Sequence, residues 1–132
     1  MNEKNMDFIV QSLEQEIDSD QIFEFKETLD YGFKYLVGIA ISDVHCSDTA
    51  ILEVVKVKGM DILPERFEAA HLMSSKNVAP NKRFFSWFQP VPISGDEMTI
   101  RFRDPDYAAK YNLQVQVLLC NNPEIIRNVL FA

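Results

Sequence analysis

The stretch NMDFIVQSLEQEI, residues 5–17, carries apolar side chains at Met6, Ile9, Val10, Leu13 and Ile17. That is the i, i+3, i+4, i+7, i+11 spacing of one helical face. Asp7, Gln11, Glu14 and Gln15 fall elsewhere on the wheel, and Asp18-Ser19-Asp20 breaks the pattern. The spacing predicts an amphipathic N-terminal helix. A helix followed by strands makes the chain an α+β domain.

The segments downstream read mostly as strands. In residues 22–29, Phe23, Phe25 and Leu29 alternate with Glu24, Lys26 and Thr28. Asp30-Tyr31-Gly32 is a turn signal, and residues 33–42 are apolar on both faces, as in a central strand. Residues 22–42 are therefore expected to form a β-hairpin. Further strands are expected over 50–58, 83–89, 97–103 and 112–120, with Pro90 and Pro92 stopping regular pairing. Leu63-Pro64-Glu65 reads as a helix start for residues 64–73, because proline suits the first helical turn. Asp104-Pro105-Asp106 suggests one helical turn through Lys110. Asn122-Pro123-Glu124 is an N-cap signal opening a last helix with Ile125, Ile126, Val129 and Leu130 apolar. The expected fold is a single α+β domain over residues 1–132. A five- or six-stranded, mostly antiparallel sheet is covered by N-terminal, middle and C-terminal helices.

The chain has 132 residues, the size of one domain, and its 47% hydrophobic content is enough for a core without metal or disulfide. Cys46 and Cys120 stand in no CxxC pair and are expected as reduced thiols. The N-terminus MNEKNMDFIV lacks the basic and apolar regions of a signal peptide, and no window approaches a membrane span. A cytoplasmic protein that does not contact membrane is the expectation.

Motifs of known chemistry are missing. There is no phosphate-binding glycine loop, nucleophile elbow, HExxH or EF-hand pattern, and no cofactor is expected. Asp43-Val44-His45-Cys46-Ser47-Asp48 gathers side chains that can ligate zinc, but without a second pair at finger spacing it reads as a polar loop. A Cys–His pair formed by Cys46 or Cys120 with His71 is available by composition alone. A packed thiol and a structural histidine are the ordinary reading. No metal and no catalytic residue is assigned, and the chain is read as non-enzymatic.

The run Asn81-Lys82-Arg83-Phe84-Phe85-Ser86-Trp87-Phe88 mixes bases with rings, as single-strand nucleic-acid sites do. Arg101 and Arg103 on the next strand would extend a basic strip. The net charge of −7 argues against a polyanionic ligand. The same residues, Arg83, Phe85, Trp87, Arg101 and Arg103, form an alternative protein interface for an accessory or assembly subunit. A small-molecule pocket lined by Phe84, Trp87 and Phe102, near His45 or His71, is a further alternative.

Charge placement carries the leading expectation. Residues 1–30 hold nine acids and two bases, which accounts for the whole net charge of −7. Glu14, Glu16, Asp18, Asp20, Glu24, Glu27 and Asp30 would form one negative patch if the first helix packs beside the hairpin. Such a face steers encounter with a basic partner. The expected function is a protein-binding module. Its sharpest form is a small acidic inhibitor or immunity-type protein occupying the basic cleft of a target such as a nuclease.

Overall fold

The computed structural model describes residues 8–42, 46–72 and 85–124, with the backbone alone for residues 42 and 85–89. It is a mostly-β protein, and the first correction falls on residues 5–17. Phe8–Ile17 is a ten-residue strand, β1. Leu13 and Ile17 are buried, Ile9, Gln11 and Gln15 are half-buried, and Phe8, Val10, Ser12, Glu14 and Glu16 face outward. Ile9, Leu13 and Ile17 fit period two as well as period 3.6. The decision falls to Val10, which a helix would bury and the strand exposes.

Eight further strands follow: β2 (Phe23–Thr28), β3 (Tyr35–Ser42), β4 (Ile51–Val57), β5 (Met60–Asp61), β6 (Phe67–Glu68), β7 (Phe85–Pro92), β8 (Glu97–Arg103) and β9 (Tyr111–Cys120). One sheet has the order β1-β9-β3-β7 and the other β2-β8-β4-β5, with β6 also on β4. Every pairing is antiparallel. Each successive long strand crosses to the opposite sheet. This is the strand order of a double-sheet jelly roll.

The crossing overturns the expected hairpin over residues 22–42. β2 and β3 lie in different sheets, and each pairs with a strand far away in sequence: β2 with β8, β3 with β9 and β7. The turn between them keeps its expected chemistry. The Asp30 carboxylate accepts the Gly32 N–H at 2.7 Å, yet the chain arches between sheets instead of folding back.

The middle helix is also corrected. Arg66 has φ +58°, in the left-handed region, so no helix runs through it. Its N–H donates to Glu53 O at 3.1 Å, opposite a register shift in β4. The segment continues as β6 and a short 3-10 helix, Ala69–Leu72. At the other end, the Glu124 N–H donates to Asn122 Oδ1 at 3.2 Å, the expected cap, and the rest of the expected C-terminal helix lies outside the described residues. Among the described residues no helix covers either sheet. β7 runs through Pro90 to Pro92, past the expected stop, because it is an edge strand whose outer side needs no N–H donors.

The sandwich closes on inward side chains of both sheets. Leu13, Ile17, Ile39, Ile41, Val115, Val117 and Leu119 meet Leu52, Val55, Val57, Met98, Ile100 and Phe102. A second, smaller cluster of Val37, Leu118 and Cys120 lies on the outward side of the first sheet, with Tyr35 against it. Among the described residues no helix is long and apolar enough to cross a membrane.

Candidate functional site

The acidic segment lies along one side of the sandwich. β1 and β2 are end strands of opposite sheets and meet there. Gln11 joins them: its amide donates to Thr28 O at 2.9 Å and its carbonyl oxygen accepts the Asp30 N–H at 3.0 Å. The seven acids are distributed around this side and not on a single face. Glu14 and Glu16 face outward from β1, Glu24 points out from β2, Asp18 and Asp20 occupy the connection between the strands, and Glu27 and Asp30 lie at the far end.

Their electrostatic environments differ. Glu24 meets Arg101 at 3.4 Å and Lys26 at 3.9 Å. Glu16 lies 4.0 Å from Lys110, and Glu14 accepts from Asn112 at 2.9 Å. Among the described residues Asp18, Asp20, Glu27 and Asp30 make no ion pair, and all four are exposed. Exposed ion pairs are individually weak, so the side keeps its negative field.

The basic and aromatic residues do not form the continuous strip read from sequence. β7, with Phe85 and Trp87, belongs to the first sheet, whereas Arg101 and Arg103 stand on β8 in the second. Arg101 is engaged by Glu24, and Arg103 Nε donates to Asp20 O at 3.4 Å. Arg83, Phe84 and His45 lie outside the described residues. Phe102 is fully buried in the core, and His71 is exposed, 3.8 Å from Glu68.

A polar network that the sequence reading did not single out joins two loops at one end of the sandwich. Asp104, 1% exposed, is the one buried charged residue among those described. Its carboxylate accepts the Ser47 N–H at 3.2 Å, the Ser47 hydroxyl, the Tyr111 hydroxyl at 2.7 Å and the Asp106 N–H at 3.2 Å. Thr49 donates to Asp106. Burial alone would raise the Asp104 pKa. The four donors outweigh it and hold the carboxyl below its ordinary value. Burial and the Asp104 charge push the Tyr111 hydroxyl far up. Burial, then Asp104 and Asp48, push the Cys46 thiol up to about 11, so it is a poor nucleophile.

An open cleft of about 340 Å³ borders this network, lined by Ser47, Asp104, Asp106, Lys110 and Tyr111. With every Asp104 lone pair directed at a protein donor, this carboxylate ties the two loops together. The available signal was Asp104-Pro105-Asp106: aspartate before proline favours a side-chain-capped turn over a helical one.

No disulfide joins Cys46 and Cys120. The described residues contain no group of three or more His, Cys, Asp or Glu placed to hold a metal. The chain matches no protein family, no curated protein and no solved structure.

Proposed function

We propose that this protein is a non-enzymatic binding module whose β1–β2 side docks a basic protein partner. One observation carries the reading. The end strands of both sheets meet on the side that bears Glu14, Glu16, Asp18, Asp20, Glu24, Glu27 and Asp30, and five of these acids, all but Glu16 and Glu24, make no ion pair among the described residues. The jelly roll by itself does not choose a function, since lectins, capsid subunits and cupins share it. Cupin-type metal chemistry needs ligating side chains inside the barrel. Here the described interior is aliphatic and aromatic apart from the Cys46 thiol, and no three ligating side chains come together among the described residues.

The partner chemistry that fits is a cluster of Lys and Arg, such as a nucleic-acid-facing cleft. Occupying such a cleft would make the protein an inhibitor of its partner. Buried, unbridged thiols accord with action in the cytoplasm.

The test is affinity capture by the native protein and by a variant with Glu14, Glu16, Glu24 and Glu27 changed to Gln and Asp18, Asp20 and Asp30 to Asn. A basic partner held at low salt, released at about 0.5 M salt and lost by the variant supports the reading. A partner retained by the variant rejects it.

A second reading, an assembly subunit, has β7 in its favour: it is the other end strand of the first sheet and carries Phe85 and Trp87. Salt-insensitive self-association in solution separates this reading from the first.

A further inference from the structure

Resting on the acidic-side reading, we infer how the partner engages: as an extended segment that adds antiparallel to β1 and becomes the next strand of the first sheet. β1 is ten residues long, contains no proline and keeps an unbroken register with β9 from Phe8↔Cys120 to Ile17↔Tyr111. It ends the sheet, so one row of its backbone N–H and C=O groups has no ladder partner among the described residues. Such an edge is a template for another chain.

The outward row of β1 states what that chain must carry. Phe8 and Val10 are 40% and 42% exposed. They lie opposite Cys120 and Leu118, which belong to the buried outward cluster. The apolar surface of this face therefore continues to the sheet edge, where Phe8 and Val10 remain partly exposed and no described strand lies beyond them. Along the same row, Ser12 is neutral and Glu14 and Glu16 are acidic. Directly opposed side chains in an antiparallel pair interact, favourably when charges are opposite or both groups are apolar. The complementary strand reads, from its N-terminus, base–x–base–x–polar–x–apolar–x–apolar. The bases fall opposite Glu16 and Glu14, and the apolar residues opposite Val10 and Phe8. A compact basic surface without an extended segment would satisfy the acids but leave Phe8 and Val10 exposed.

Synthetic peptides test this directly. One carries Lys-Thr-Lys-Thr-Ser-Thr-Val-Thr-Val. A control has the same composition with the lysines adjacent to each other and the valines adjacent to each other, so that they point to opposite faces. Binding is read by fluorescence anisotropy at about 50 mM salt, where surface charge is weakly screened. Amide chemical shifts locate the contact.

The expected result is binding of the patterned peptide about tenfold tighter than the control, with shifts confined to β1 and β9. Glu14→Gln with Glu16→Gln should weaken it, whereas Asp18→Asn with Asp20→Asn should not. Equal binding of both peptides, weakened by either pair of substitutions, overturns strand addition while leaving acidic docking intact. Binding of neither peptide also overturns strand addition, and the docking reading then stands or falls on its own salt-sensitive capture.

Discussion

Ser47 donates both its backbone N–H and its hydroxyl to the carboxylate of Asp104, tying the chain before β4 to the turn after β8. Tyr111, at the start of β9, donates to the same group. Three strands are thus fixed at one end of the sandwich through a single buried carboxylate.

Asp104→Ala removes the acceptor of the Ser47 N–H, the Asp106 N–H and the Tyr111 hydroxyl. A loss of about 2–4 kcal/mol is expected, read as a fall in Tm of about 10 °C. Asp104→Asn keeps one acceptor and costs less. Because the folded-state pKa is depressed, the charge-dependent stability is fully present above the unfolded value of about 3.9. It is lost as pH falls through the lower folded value. The gap between native protein and Asp104→Asn should therefore narrow as urea unfolding is repeated from pH 7 down to about pH 3. A constant gap would show that the charge is not what stabilises the joint.

Two substitutions in β1 distinguish strand from helix. Leu13 is buried in either arrangement, so Leu13→Ala should cost about 2–5 kcal/mol. Val10 is inward only in a helix; on the strand it is exposed. Val10→Thr should change stability by no more than about 0.5 kcal/mol in urea titration. A large loss at position 10 would contradict the strand.

This ambiguity explains how far the sequence could be read. Strands with clean alternation and inward apolar residues were legible: Glu97–Arg103 was read with the bounds it has, and Tyr111–Cys120 within one residue. β1 was not, because two of its inward positions are Gln11 and Gln15. At the rim of a sandwich an inward-facing amide can reach backbone groups of the other sheet, as Gln11 does, so polar residues are tolerated where alternation calls for apolar ones. Sheet assignment was hidden for another reason. The turn at Asp30-Tyr31-Gly32 has the same local chemistry whether the chain folds back or arches across. Only the distant partners, Phe102 for Phe23 and Leu119 for Leu36, decide it. The acidic segment was legible as charge. Its placement along two sheet edges depended on the same long-range pairings, as did the Ser47–Asp104 joint.

Gly95 makes a separable prediction. Its φ is +66°, and a Cβ there would overlap the Tyr31 ring. Tyr31 is largely exposed and its ring can swing away, so the lasting cost of Gly95→Ala is the left-handed backbone, about 1–2 kcal/mol. The same cost should appear in a Tyr31→Ala background. A cost that disappears there would assign the penalty to the ring instead.

Gln11 offers the most specific test of the joint between the two sheets. Gln11→Ala removes one donor and one acceptor at a half-exposed site and should cost about 1–2 kcal/mol. Gln11→Glu keeps the acceptor for the Asp30 N–H but turns a carboxylate oxygen toward Thr28 O, where the amide had donated. At neutral pH two acceptors then face each other beside an already acidic segment. The introduced carboxyl should have a folded-state pKa above its unfolded value of about 4.3. Its destabilisation is present above the folded pKa and relieved as pH falls toward the unfolded one, where the protonated acid can donate to Thr28 O. Gln11→Glu should therefore be less stable than Gln11→Ala at pH 7 and approach or exceed it near pH 4. If the two variants keep the same order and spacing at both pH values, Gln11 does not bridge β1 to the end of β2 in solution.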